Sequence, residues 1–352
     1  MNTNRILFDM MKETTRLMFF GGLGLMCPYT GANVDIPSTP NEKPGNAGDS
    51  RFITRTYTNH AGTRDYKLYI PSGYHGQTLP LIVMLHGCKQ DPDDFAFGTR
   101  MNALAEERQC LVAYPAQTRA ANGLKCWNWF NAEDQQRDHG EPSIIAGITR
   151  ELIADYHADP RRIYIAGLSS GAAMAVILGA TYPDLYAAIG VHSGLPYRGA
   201  HDLDSALAAM RNGARRSGAR HGETLDERRK NCPDPITVHP RSVPAIIFHG
   251  DQDTVVHPDN GDQVMAQRGS SPALAPLKDL DDLMVEQGQV LDGHAFTRTV
   301  RYDNGGQALA EQWMVHGAAH AWSGGSSNGS YTDPKGPDAT TEMLRFFDTK
   351  TQ

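Results

Sequence analysis

This 352-residue sequence lacks a concentrated basic surface, a metal-binding cysteine pair and an apolar run long enough to span a membrane. The formal net charge of -7 argues against nucleic acid as a partner. The five cysteines include no C-x-x-C pair, so no metal site is expected, and nothing implies an organic cofactor. No apolar run reaches the roughly 20 residues of a spanning helix, which argues against a stable membrane span.

Residues 1–50 are predicted to form an N-terminal segment and linker. The apolar run Leu17–Cys27 follows basic residues, and small residues around Gly31 resemble a cleavage site, so residues 1–32 fit a signal peptide. Two acidic residues, Asp9 and Glu13, dilute the leading positive charge and leave an amphipathic helix as the alternative. Residues 33–50 are rich in Pro, Asn and Gly, as in a linker.

Strand-like and helix-like segments alternate from residue 51 to residue 352. Strands are predicted at Phe52–Thr58, Tyr66–Ile70, Pro80–Leu85, Cys110–Tyr114, Arg162–Ala166, Leu185–Val191, Val243–Phe248, Phe296–Tyr302 and Ala308–Val315. Helices are predicted at 93–108, Pro142–Tyr156, Gly171–Tyr182, Pro258–Gln267 and Thr340–Phe347. This spacing predicts an α/β catalytic domain with a mostly parallel sheet and helices on both faces.

Residues 198–242 break the alternation and are predicted to form a small cap or surface insert. The stretch Arg211–Lys230 is basic but also carries three acidic residues, as expected of a solvated insert.

A serine nucleophile is predicted at Ser169. The segment Gly167-Leu168-Ser169-Ser170-Gly171 has the G-x-S-x-G pattern, with a strand before it and a small-residue helix after it. Glycines on both sides let strand and helix pass closely, and the turn exposes the hydroxyl. Ser170 is the rival nucleophile, but the glycines do not flank it symmetrically. An ordinary strand-to-helix turn is the structural alternative.

The order Ser, then acid, then His is typical of the α/β-hydrolase fold. Asp253 follows the strand that ends at Phe248 and is the predicted acid, with Asp251 as the alternate. His320 lies in the loop after the last strand and is the predicted base. His316 sits at the strand end and is predicted to be structural. Asp253 is expected to fix the tautomer of the base.

Two backbone N–H groups are needed to stabilise the oxyanion of an acyl-transfer intermediate. The residue after the nucleophile, Ser170, is one predicted donor. Cys88, in the His86-Gly87-Cys88 loop after a buried strand, is the other. His86 is expected to brace this loop.

Several of these segments together resemble the poly(3-hydroxybutyrate) depolymerase family of esterases. The matching motifs are His86-Gly87-Cys88-Lys89-Gln90, Cys126-Trp127-Asn128-Trp129-Phe130, Gly167–Gly171, His192-Ser193-Gly194-Leu195-Pro196-Tyr197, His249-Gly250-Asp251-Gln252-Asp253, His320–Gly325, Ser330–Pro334 and Gly336–Ala339. The resemblance covers roughly residues 52–348, and the H-G-C and C-W-N-W-F pair is its most specific part.

The resemblance implies a serine carboxylic ester hydrolase that acts on polyhydroxyalkanoate polyesters or oligomers. It assigns the same triad of Ser169, Asp253 and His320. It also implies a Cys88–Cys126 disulfide beside the oxyanion loop, and a persistent disulfide favours an extracellular or periplasmic location over the cytoplasm.

Trp127 and Trp129 are candidate substrate contacts, because aromatic walls suit a chain of methyl-bearing ester units. The alternative is that one or both belong to the core.

Other functions use the same chemistry. A feruloyl or acetylxylan-type carbohydrate esterase is the main alternative, and a peptidase would need no different triad. A non-catalytic binding protein predicts a broken triad, whereas every member is present. The sequence ends at Gln352, shortly after the last predicted helix, so the polymer-binding domain that commonly follows the catalytic one is not seen. Binding to crystalline polymer is therefore not expected.

Overall fold

The computed structural model describes residues 50–214, 243–268, 283–303 and 305–352, and a ten-stranded sheet organises these residues. Its strands are β1 Arg51–Asn59, β2 Gly62–Ile70, β3 Leu79–Leu85, β4 Leu111–Pro115, β5 Ala158–Leu168, β6 Ala188–His192, β7 Ala245–Gly250, β8 Leu283–Gln289, β9 Ala295–Tyr302 and β10 Ala308–Val315. Two further short strands, β11 Trp322–Ser323 and β12 Thr332–Asp333, pair in parallel.

The sheet order is β1-β2-β4-β3-β5-β6-β7-β10-β9-β8. Six adjacent strands run parallel, in the order β4, β3, β5, β6, β7 and β10. At the two edges, β1 and β2 on one side and β9 and β8 on the other pair antiparallel with their neighbours. The carboxyl ends of β3, β5, β7 and β10 therefore lie at the same edge of the sheet, where active sites of open α/β sheets form.

The helices are α1 Pro92–Thr99, α2 Met101–Arg108, α3 Gly140–Tyr156, α4 Ser170–Thr181, α5 Leu203–Asn212, α6 Asp259–Gln267 and α7 Ala339–Phe347, with a 3₁₀ turn at Glu133–Gln135. They cover both faces of the sheet. In β3, for example, Leu81 and Val83 pack into the core on one face, while Ile82 and Met84 pack into the core on the other. Burial on both faces explains the continuous apolar sequence of the central strands.

The predicted single helix 93–108 is wrong, because the chain breaks at Arg100. This residue adopts left-handed backbone angles, with φ 58°, and is the C-cap of α1 and the N-cap of α2. Its guanidinium donates to the carbonyl of Gly324 at 2.9 Å and pairs with Asp338. These contacts with a distant loop hold the break, and the local sequence contains no signal for it.

The other predicted strands and helices are confirmed within a few residues, and β1 and β2 form a hairpin that turns at Asn59–Gly62. The edge strand β8 was not predicted. Of the predicted insert, α5 is described and begins with a capping box at Asp202. The predicted signal peptide, linker and most of the insert, including Cys232, lie outside the described residues. Within the described ranges, no helix has the length and apolarity to cross a membrane.

Candidate active site

Ser169 occupies a sharp turn between β5 and α4. Its backbone angles, φ 57° and ψ -119°, lie in a region that non-glycine residues rarely adopt. The N–H of Ser169 donates to the carbonyl of His192 at 2.9 Å, which ties the turn to the neighbouring strand β6. The strained conformation is thus held by the surrounding structure, as expected where a backbone outlier serves a function.

The two flanking glycines are required by close backbone packing. A Cβ on Gly171 would lie 2.1 Å from the carbonyl oxygen of Leu85, and one on Gly167 would lie 2.5 Å from the backbone of Gly171. Neither backbone can yield without moving β3 or α4. The glycines therefore let α4 begin directly against the end of β3, which is where the oxyanion loop starts.

Asp253 and His320 form a buried pair. Oδ2 of Asp253 lies 2.7 Å from Nδ1 of His320, and the two residues are 5% and 8% exposed. Ser169 is 7% exposed, so all three predicted triad residues are shielded at the same edge of the sheet. A carboxylate at Nδ1 places the ring proton there and leaves Nε2 free to accept a proton.

Further donors converge on the carboxylate of Asp253. Its Oδ1 accepts from the N–H groups of Val255 at 2.9 Å and Val256 at 2.8 Å. The Nε2 of His249 lies 3.4 Å from Oδ2 and donates to the carbonyl of Val256 at 2.8 Å. Burial opposes ionisation, but attraction to the protonated form of His320 and the hydrogen bonds from His249 and His320 outweigh it, so the pKa of Asp253 is held far below its ordinary value.

The alternate acid, Asp251, has a different partner. Its carboxylate accepts from the N–H of Gly317 at 2.7 Å and lies 3.0 Å from Nδ1 of His316. The Nε2 of His316 in turn contacts Thr297 at 2.9 Å. Asp251 and His316 thus tie the ends of β7, β9 and β10 together, and the structure separates this pair from Asp253 and His320.

The loop after β3 lies against Ser169. A Cβ on Gly87 would lie 3.6 Å from the Cβ of Ser169. The Gly87 N–H donates to Gln90 Oε1 at 2.9 Å, and the Lys89 N–H donates to the carbonyl of Leu124 at 2.7 Å. The Cys88 N–H between them has no acceptor among the described residues, which matches its predicted role.

The second predicted oxyanion donor, Ser170, is the first residue of α4. A helix leaves its first N–H groups without an intrahelical acceptor, so this N–H points out of the helix N-terminus. The Oγ of Ser170 lies 3.4 Å from Sγ of Cys88, which brings the two donor residues into contact.

A disulfide joins Cys88 to Cys126, as the family resemblance implied. It fixes the oxyanion loop to the Cys126–Trp127 segment. His86 braces the same loop: its Nε2 accepts from the Gln117 N–H at 3.0 Å and its Nδ1 donates to the carbonyl of Gly87 at 2.7 Å. Burial lowers the pKa of His86 to about 4, so the ring is neutral near pH 7.

The two tryptophans differ in surroundings. Trp127 has no exposed surface; its Nε1 donates to the carbonyl of His86 at 3.1 Å and its N–H to Ser170 Oγ at 3.4 Å. This burial favours the core alternative for Trp127, which supports the oxyanion loop. Trp129 is 6% exposed and packs edge-on against Phe130, so a substrate contact at Trp129 stays a prediction.

One buried group has a part that was not predicted from the sequence. The carboxylate of Glu141, the second residue of α3, pairs with Arg64 at 3.1 Å, binds Gln117 and accepts from the N–H of Asn128 at 2.8 Å. Burial raises the pKa of Glu141. These contacts link α3 to the Cys126 segment through Asn128, and to the His86 loop through Gln117, whose N–H donates to His86. Sequence spacing alone contains no signal for such a network.

No group of three or more His, Cys, Asp or Glu side chains converges as a metal site in the part of the chain that the structure describes. The buried polar groups that it does contain point to proton transfer and acyl transfer.

Comparison with known proteins agrees with this geometry. The chain is 30% identical over 265 residues to poly(3-hydroxyalkanoate) depolymerase C of Paucimonas lemoignei, an alignment that covers 75% of this chain and 59% of that protein. It is 29% identical over 210 residues to feruloyl esterase B of Neurospora crassa, covering 58% of this chain and 69% of that protein. The chain thus spans somewhat over half the length of the depolymerase.

Among solved structures, an acetyl xylan esterase from Aspergillus awamori superposes with a TM-score of 0.60 at 18% identity, over 86% of this chain and 100% of that one. This likeness confirms the α/β-hydrolase fold. The family model described as Esterase PHB depolymerase matches residues 64–270, which is more than half of the sequence. The chain therefore belongs to the PHB depolymerase family of esterases.

Proposed function

We propose that this protein is a serine carboxylic ester hydrolase that cleaves polyhydroxyalkanoate polyesters or oligomers through an acyl-enzyme. The observation that carries the proposal is the buried Asp253–His320 pair at 2.7 Å, on the same sheet edge as the strained Ser169 turn. Family membership and the depolymerase relative support the substrate class.

In the acylation step, Oγ of Ser169 attacks the ester carbonyl carbon while Nε2 of His320 takes the hydroxyl proton. Asp253 stabilises the imidazolium through Nδ1. The N–H groups of Cys88 and Ser170 stabilise the oxyanion. Collapse of the tetrahedral intermediate breaks the ester bond, and His320 gives its proton to the departing alkoxide.

In the deacylation step, water attacks the acyl-enzyme carbonyl and gives a proton to Nε2 of His320. The second tetrahedral intermediate uses the same two N–H groups. Its collapse releases the carboxylic acid and returns the proton to Ser169. Electrons and protons balance over the cycle, and the net reaction is ester plus water to acid plus alcohol.

A carbohydrate esterase is the second candidate, because feruloyl esterase B is a relative of similar identity. It would use the same residues and differ only in the acyl and alcohol groups bound. The substrate test must therefore compare both ester classes with one enzyme preparation.

The experiment measures product release from hydroxybutyrate oligomers, amorphous polyhydroxybutyrate, feruloylated xylan and acetylated xylan. The wild type is compared with Ser169→Ala and with Ser205→Ala, a matched serine change at the start of α5. We expect hydroxybutyrate release by the wild type and Ser205→Ala, and a loss of at least about 10³-fold in Ser169→Ala.

The outcomes separate mechanism from substrate. Release of only ferulate or acetate would keep the triad and move the protein to the carbohydrate esterases. Full activity of Ser169→Ala on any of the esters would refute the nucleophile and with it the whole mechanism.

The disulfide supports a location in an oxidising compartment, extracellular or periplasmic, because such bonds do not persist in most cytosols. Cell fractionation of the native producer, with thiol labelling of the recovered protein, tests this. Recovery from the cytosol with Cys88 and Cys126 both labelled would contradict it.

A further inference from the structure

His192 is the last residue of β6 and has no assigned role in the reaction. It belongs to the His192-Ser193-Gly194 motif that the triad does not use. The residue is 1% exposed, although a polar ring is costly to bury without partners. β6 lies between β5, which leads to Ser169, and β7, which leads to Asp253.

The ring of His192 is bonded through both nitrogens. Its Nε2 accepts from the N–H of Ser323 at 2.9 Å, so this nitrogen carries no proton. Its Nδ1 then carries the proton and lies 3.3 Å from Oγ of Ser193. Burial, and then repulsion from the protonated forms of His249 and His320, lower the pKa of His192 to about 3, so this neutral tautomer persists near pH 7.

His192 touches all three segments that carry the triad. Its carbonyl accepts from the N–H of Ser169 at 2.9 Å. Its ring stacks on Phe248, five residues before Asp253, with centroids 5.8 Å apart. It also stacks on Trp322, two residues after His320, with centroids 5.1 Å apart.

We propose that His192 is a positioning residue whose Nε2, by accepting from Ser323, holds the His320 loop in register with the nucleophile turn. The inference rests on the proposed hydrolase function and deepens it. His192 itself does not touch substrate. It acts through the loop that carries the base.

The physical reason lies in the burial of the Ser323 N–H. Ser323 is 2% exposed, and no other acceptor for its N–H is found within the described residues. If His192 no longer accepts, the N–H must remain unsatisfied or the loop must move towards another partner. A shift of about 1 Å in the base is enough to cost about 10²-fold in rate, while substrate binding elsewhere is unchanged.

A matched pair of variants isolates this hydrogen bond. His192→Gln and His192→Asn both lose the aromatic stacking, but only the longer Gln amide reaches the Nε2 position with its oxygen. The assay measures kcat and KM on p-nitrophenyl butyrate, and chemical denaturation measures the stability of each variant. Thr149→Val is a control for stability, because it removes a buried hydroxyl on α3 that is hydrogen-bonded to the hydroxyl of Tyr186.

We expect His192→Asn to lose about 30- to 100-fold in kcat with KM within about twofold of wild type. His192→Gln should recover to within about fivefold of wild-type kcat. Thr149→Val should keep kcat even at comparable loss of stability.

The proposal is overturned if Gln and Asn lose kcat equally, if the loss lies in KM, or if Thr149→Val shows the same loss. Failure of the proposed function is distinct. If the proposed function fails, the wild type does not hydrolyse the activated ester, or Ser169→Ala hydrolyses it equally well. If hydrolysis depends on Ser169 but the His192 variants keep wild-type kcat, only the inference about His192 is refuted.

Discussion

Replacing Asp253 by Asn should invert the tautomer of His320. The Oδ1 of Asp253 accepts from the N–H groups of Val255 and Val256 at 2.9 Å and 2.8 Å. An amide at this position must keep its oxygen towards these two donors. Its NH₂ group then faces Nδ1 of His320, where the 2.7 Å contact now lies.

Because the NH₂ group donates, Nδ1 must accept and the proton of His320 moves to Nε2. A protonated Nε2 cannot take the proton of Ser169. The same NH₂ group also faces the Nε2–H of His249, and this donor–donor contact adds to the cost of the substitution. We expect kcat to fall about 10⁴-fold, equivalent to about 5.5 kcal/mol of transition-state stabilisation.

The assay is steady-state hydrolysis of p-nitrophenyl butyrate, with circular dichroism to show that Asp253→Asn is folded. Asp251→Asn is the matched control, because Asp251 is bonded to His316 and Gly317 instead, and it should stay within about threefold of wild type. A folded Asp253→Asn that retains more than a tenth of kcat would refute the tautomer argument. A large loss in Asp251→Asn alone would move the acid to that residue.

Three further changes test the surroundings of the site. Replacing Cys88 and Cys126 together by Ala removes a cross-link over a sequence separation of 38. The free energy of unfolding, measured in urea, should fall by about 4 kcal/mol, and kcat should fall as well. Gly171→Ala should cost about 3 kcal/mol or prevent folding, since its Cβ would lie 2.1 Å from the Leu85 carbonyl; thermal denaturation checks this, and an unchanged Tm contradicts it. The pKa of His86 is lowered to about 4 in the folded protein, so as pH falls the unfolded chain takes up this proton first. The free energy of unfolding should therefore fall between about pH 6.5 and pH 4, by about 2 kcal/mol at pH 5. In His86→Gln, denaturation curves measured across this range should show a dependence on pH that is weaker by about one proton.

The alternation of strands and helices was predictable because it depends on local pattern. Continuous apolar runs such as the one around Val83 occur where both faces of a strand are buried, and the structure confirms them. The G-x-S-x-G turn was predictable for a similar reason, since glycine is needed wherever two backbones approach closely, and that need is visible at Gly167 and Gly171.

Long-range contacts explain what the patterns missed. Arg100 lies at the break between α1 and α2, and its guanidinium binds a loop more than 200 residues away, at Gly324. The edge strand β8 has mostly exposed side chains and so lacks the apolar signature of the central strands. It pairs with β9 through backbone hydrogen bonds, which every residue except proline can donate.

The residues of the site divide in the same way. The predictions of Ser169 as nucleophile and of an acid and then a base after it came from the sequence alone, because a nucleophile turn and its partners follow successive strands of a parallel sheet. The choice of Asp253 over Asp251 as the partner of His320, the burial of Trp127 and the contacts of His192 were decided by the tertiary structure. Two side chains that are close in sequence, such as Asp251 and Asp253, can differ in their partners because those partners come from distant segments of the chain. The local sequence pattern does not specify which distant segments come into contact.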